Sequence, residues 1–223
     1  MGRVTEGDRR FDPARVAERL CYLFPPVVGV GAVGVLREVD PAVPLLGWTL
    51  VLVGSFGYAL LTLGMTVALF LDARQVRETG QWLPIPWLEA AFAFLWAPAA
   101  GVFYLYRRHR RFGTPAGRSE WWLVVALSLA ASVLGLAAAA VGYVLAIPGL
   151  VTTAAGVAGA IAVGAFPVSI HRDAAYVSTR RASWRPNPAA YLGAAFVSLF
   201  VPVVQPALAA YYLAKRRRTL GTP

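Results

Sequence analysis

Two aspartates carry the clearest positional signal in the chain. Asp72 and Asp173 each open an Asp-Ala pair, each stands four residues before a valine, Val76 or Val177, and each precedes a Trp-x-Pro-x-Pro stretch, Trp82 to Pro86 and Trp184 to Pro188. Downstream, each is answered by a tyrosine followed by a basic cluster, Tyr104 to Arg111 and Tyr212 to Arg218. Carboxylate and guanidinium groups at matched places are the ingredients of charge-assisted hydrogen bonds. Asp72 is therefore expected on Arg107 and Arg108, and Asp173 on Arg216 and Arg217, latching one segment of the chain to another. The alternative is a solvated loop carboxylate, because an exposed pair contributes only about 0–1 kcal/mol.

Other residues with chemical potential are few. Glu89 is the one acidic residue inside an apolar run, three residues after Pro86. In the first turn of a helix its carboxylate would meet the unpaired backbone donors and the positive end of the dipole, so a capping role is expected rather than a proton site. His109 and His171 are flanked by arginines and have no cysteine or carboxylate at ligand spacing, which argues against a metal. Cys21 is the single cysteine and excludes an internal disulfide. No nucleophile elbow, zinc-protease helix, phosphate-binding loop or pair of intramembrane aspartates occurs, so no catalytic residue and no cofactor is expected.

The elements that must carry these residues are apolar. Of 223 residues 58% are hydrophobic and 14% charged, and the mean hydropathy is +0.58. Leu45 to Leu71, Trp121 to Ile170 and Pro186 to Ala214 contain no Asp, Glu, Lys or Arg. About 20 such residues span a bilayer core, so the solvent implied is lipid. The net charge of +10 comes from basic residues at the ends of apolar runs, which reads as a membrane topology signal and not as a nucleic-acid face. Residues 1–19 form a basic cytoplasmic arm, read as retained because no small-x-small cleavage site leads into a soluble domain.

The matched motifs imply an internal duplication. Gly113-Thr114-Pro115 closes the first copy and Gly221-Thr222-Pro223 the second, giving membrane units over 20–115 and 116–223 after the arm. Each unit holds three apolar segments: Leu20 to Leu36, Leu45 to Leu71 and Pro86 to Tyr106, then Trp121 to Leu145, Pro148 to Ile170 and Pro188 to Ala214. The fold class expected is all-α and polytopic. The order D-A-x-x-V, W-x-P and Y-L-x-R-R-H-R-x-x-G-x-P resembles a group of uncharacterised multi-pass membrane proteins of halophilic archaea. That resemblance covers both halves and implies a membrane repeat without implying an activity. The second copy departs from it, with Arg217 where the histidine would fall.

Two topologies stand open. If all six segments cross, the 21 Lys and Arg divide almost evenly between the two faces, contrary to the usual cytoplasmic excess. If the third segment of each unit re-enters as a hairpin, leaving four spans, every basic residue except Arg37 falls on one face together with both termini. Pro98 in the first unit, and Pro202 with Pro206 in the second, supply places to break. Against the hairpin, a run of more than 20 apolar residues is ordinarily a plain span. Gly156, Gly159, Ala160 and Gly164 have the small-residue spacing of a packing face, between the units or between two chains of a homo-oligomer.

The functional expectation follows from charge placement. Arg110, Arg111, Lys215 and Arg218 lie beside Tyr104, Tyr106, Tyr211 and Tyr212, an aromatic and cationic boundary suited to anionic membrane lipid at about 1 kcal/mol per basic residue. The reading is a non-enzymatic component of the cell membrane that binds lipid or a protein partner, with no nucleic-acid role. A small-solute transporter or channel is the alternative, with Gln205 as its polar contact.

Overall fold

The computed structural model describes residues 12–37, 45–114, 118–180, 183–201 and 203–221, and every regular element among them is helical. Helix α1, Pro13–Arg37, starts where Asp12 Oδ1 accepts the Ala14 N–H at 3.2 Å and Pro13 takes the first helical place, where no donor is needed. The arm expected over 1–19 is thus already helical from Pro13. Helix α2, Leu46–Glu78, is apolar on all sides until its last turns and stops before Gly80, whose φ of 72° suits glycine.

Helix α3, Pro86–Phe112, is not one rod. Pro98 has no N–H for the carbonyl of Phe94 and its ring crowds that carbonyl, and Trp96 just before it takes extended backbone (φ −152°, ψ 72°). The segment turns back at this point. Glu89 and Arg107, 18 residues apart, form an ion pair, whereas an unbroken helix would hold them about 27 Å apart.

The second half runs in the same order. Helix α4, Trp121–Val144, is followed by α5, Pro148–Val163, and α6, Ala165–Ser178, with only Gly164 between them. Helix α7, Pro188–Ser198, begins at Asn187, whose side chain accepts the Ala189 N–H at 3.1 Å. Helix α8, Val204–Leu220, returns after α7 has ended at Ser198. Tyr191 near the start of α7 meets Tyr212 of α8 with ring centroids 5.0 Å apart, so this segment also folds back. Of the prolines expected at the break, Pro206 is buried in the first turn of α8 and Pro202 lies outside the described residues.

These reversals decide which residues share an end of the bundle. The start of α1, the end of α2, both ends of α3, the start of α4, the end of α6, the start of α7 and the end of α8 all lie together. Every described Lys and Arg except Arg37 is at that end.

Among the described residues, four helices are long and apolar enough to cross a membrane: α1 over Pro13–Val35, α2, α3 and α4. That judgement rests on length and composition, and in α3 the contact between Glu89 and Arg107 sets the two ends side by side. The outside of the bundle is apolar too. Leu52, Phe56 and Leu63 of α2, Leu127 and Leu134 of α4, and Phe94 and Leu95 of α3 are all exposed, a surface that water would not tolerate over this extent.

Two cores form. One gathers α1, α2 and α3 with Ala189 and Leu192 of α7, and the other joins Val125, Phe166, Ile170, Ala195 and Tyr212. Helix α7 therefore contributes to both. Helices α1 and α2 approach closely, so that a Cβ on Gly54 would sit 2.8 Å from the backbone of Gly31. The small-residue face expected at Gly156 and Gly159 makes no contact inside the chain, where a Cβ on either would meet nothing within 4 Å, which leaves the expected contact between two chains.

Candidate functional site

The strongest side-chain constellation centres on Asp72, near the end of α2 and 1% exposed. Its Oδ2 accepts from Tyr104 Oη at 2.7 Å and from Arg108 Nε at 2.9 Å. Tyr104 and Arg108 are four residues apart on the returning half of α3, so one helical face delivers both donors to one oxygen. Trp82 covers Tyr104 with ring centroids 5.1 Å apart. Two cations flank that indole, with the guanidinium of Arg107 at 5.3 Å and that of Arg111 at 5.4 Å. Arg107, expected on Asp72, is instead on Glu89, because its position on the helix turns it towards the outgoing half of the hairpin. Glu89 is accordingly not a free helix cap but the carboxylate that ties the two halves of α3 together.

The same parts recur around Asp173 of α6, which is fully buried. Its Oδ2 accepts from Tyr212 Oη at 2.6 Å and from Arg216 Nε at 2.9 Å. Trp184 lies 5.5 Å from the Tyr212 ring, and Lys215 Nζ stands 5.3 Å above Trp184 as Arg107 stands above Trp82. Tyr191 takes the place of Glu89 and packs edge-on against Tyr212. Arg217, the other residue expected on Asp173, is exposed. Tyr104 and Tyr212 were legible only as interfacial aromatics, and Trp82 and Trp184 only as parts of the repeated motif, yet the four-residue spacing from tyrosine to arginine is the signal that would have placed both side chains on one acceptor.

This arrangement suits holding, not proton transfer. In each, one carboxylate oxygen takes a hydroxyl donor and a guanidinium donor together, and in such depth an ion pair persists because each charge meets its opposite. Both constellations join the hairpin of their half to the helix that precedes it, α2 in the first and α6 in the second.

The histidines, well separated in the sequence, come together where the two halves meet. Their rings are 5.9 Å apart. Tyr22 Oη donates to Glu18, so at 2.7 Å it can only accept from His171, whose Nδ1 therefore carries the proton. His171 Nε2 and His109 Nδ1 are buried with no hydrogen-bond partner among the described residues. Among those residues no group of three or more His, Cys, Asp or Glu is placed to hold a metal ion. Nearby, Cys21 is buried against Gly101, where an added Cβ would come 2.7 Å from its sulfur.

The remaining cations expected to meet lipid lie at the basic end. Arg110 sits 5.9 Å from the Tyr106 ring, Lys215 also approaches Tyr211 Oη at 3.2 Å, and Arg218 is exposed. Gln205 is buried at the start of α8 and accepts from Ser132 Oγ at 2.7 Å, with its amide nitrogen unpartnered among the described residues. Between the two hairpins runs an apolar cleft of about 730 Å³, reached by α1, α2, α3 and α7. Compared with known proteins, the chain matches no family model, no curated protein and no solved structure.

Proposed function

We propose that this chain is a non-enzymatic membrane component made of two copies of one unit, which gathers its cations on the cytoplasmic side to hold anionic lipid. In this reading α1, α2, α4 and the α5–α6 pair cross the bilayer, while α3 and the α7–α8 pair enter and leave on the same side. The observation that carries it is the paired setting of Trp82 between Arg107 and Arg111 and of Trp184 beneath Lys215: indole and cation stand together at one level, at the end where the basic residues collect. The two carboxylate latches support it by pinning the hairpins that present those cations.

Single cysteines at Gln75, Gly113, Thr179 and Gly221, all exposed at the basic end, in a Cys21→Ser background, test the topology. With a membrane-impermeant thiol reagent outside intact cells, none of the four should label, while Ala146 at the other end should. Labelling of Gly113 and Thr179 means six spans and defeats the hairpins. In detergent, native mass spectrometry should show tighter retention of phosphatidylglycerol than of phosphatidylcholine, a preference that weakens in Arg111→Gln/Lys215→Gln/Arg218→Gln.

A small-solute carrier is the second reading, and one observation favours it. Gln205 stands at the break of the second hairpin with a buried, unpartnered amide nitrogen able to donate to a solute. Uptake into proteoliposomes that is abolished by Gln205→Leu would select it.

A further inference from the structure

Two hairpins that turn back part-way leave eight helix ends at the basic end of the bundle and only four at the other. The apolar cleft lies where this shortfall begins. Phe24 of α1 and Tyr58 of α2 form its back wall, and Trp96 and Phe200, at the turning points of the two hairpins, stand at its inner end. Its volume of about 730 Å³ falls in the range of sites that enclose a small ligand. Water finds few partners among such side chains, whereas a hydrocarbon chain needs none.

The cleft is open sideways. Trp96 is 62% exposed and Phe200 80%, so in the proposed orientation a lipid chain enters from the bilayer itself without crossing water. At the basic end Tyr106 lines the cleft, and the guanidinium of Arg110 lies 5.9 Å from its ring. Among the described residues no carboxylate lies within ion-pair distance of Arg110, so its charge is free for an outside anion at that mouth. A guanidinium recognises phosphate oxygens by charge and by its planar set of donors.

We infer that the cleft holds one hydrocarbon chain of an anionic phospholipid, with the lipid phosphate against Arg110. The inference rests on the membrane reading above and adds to it a specific site with apolar walls and a side opening. Moving a chain from bilayer to cleft gains no hydrophobic free energy, since both surroundings are apolar. Selectivity must therefore come from Arg110, and residence from the fit of the cleft.

The full chain purified in detergent, incubated with phosphatidylglycerol or phosphatidylcholine and examined by native mass spectrometry, tests this. Wild type should keep one phosphatidylglycerol after detergent removal. Ala99→Trp/Ala190→Phe, which fills the cleft from two walls at positions that are not fully buried, should lose it while keeping its melting temperature. Arg110→Gln should keep a lipid but lose the preference for the anionic headgroup. Unchanged retention in the filled variant overturns the site, as does an unchanged preference in Arg110→Gln. If the filled variant keeps its lipid while Arg111→Gln/Lys215→Gln/Arg218→Gln abolishes the preference, the basic-end reading survives and the cleft does not. Should the filled variant fail to fold, a phosphatidylglycerol with a photoreactive group mid-chain decides on wild type. Adducts on cleft peptides of α3 and α7 that unlabelled lipid displaces are expected, and adducts confined to the outer faces of α2 and α4 overturn the proposal.

Discussion

Arg216 Nε lies 2.9 Å from Asp173 Oδ2, the atoms and the separation that also join Arg108 to Asp72, but the two pairs lie at different depths. The side chains of Arg216 and Asp173 are 7% and 0% exposed, those of Arg108 and Asp72 23% and 2%. Removing Asp173 strands a guanidinium that has no water to turn to, whereas removing Asp72 leaves Arg108 a path to solvent. Asp173→Ala is expected to cost about 3–5 kcal/mol, and Asp72→Ala distinctly less. Reversible unfolding in mixed micelles measures both, and equal losses would show that depth is not what sets the strength of the latch.

The Glu89–Arg107 pair predicts an asymmetry of the opposite kind. Glu89 is nearly buried, with its side chain 6% exposed, and Arg107 keeps 32% of its own surface open while it rests on Trp82 and Phe103. Arg107→Ala leaves a buried carboxylate without its donor, at about 1–3 kcal/mol. Glu89→Gln leaves a cation that solvent and two rings still accommodate, at about 1 kcal/mol or less. If Glu89→Gln proves the more damaging of the two, the pair is not what closes the hairpin.

How far the sequence led can be judged on these same residues. Matching Asp72 and Asp173 to the basic clusters required only order and charge. Choosing Arg108 over Arg107 required knowing which face of the helix is buried, and Tyr104, four residues before Arg108, identifies that face once the tyrosine is taken as a core residue. The reversal of α3 was suggested by Pro98 and by charge distribution, but proline alone does not say how far a helix bends. His109 and His171 could not be connected at all, because their contact depends on how one half packs on the other and no periodicity records it. The cleft was equally hidden, being a space left by two turns and not a property of any residue.

The glycines give a third test, in which sequence spacing and tertiary contact disagree. Gly156 and Gly159 have the spacing of a packing motif, yet a Cβ on either points into open space. A Cβ on Gly54 would press on the backbone of Gly31, and one on Gly34 would lie 2.7 Å from the backbone nitrogen of Val51. Backbone cannot move aside as a side chain can, so α1 and α2 would have to separate. Gly54→Ala and Gly34→Ala are expected to destabilise by about 1–3 kcal/mol each. Gly156→Ala should be neutral or stabilising by about 0.4–1 kcal/mol, since alanine restricts the unfolded chain and favours helix. Unfolding midpoints of the three variants against wild type settle the matter. A large loss at Gly156 would mean that its outward face is covered after all, by a second copy of the chain.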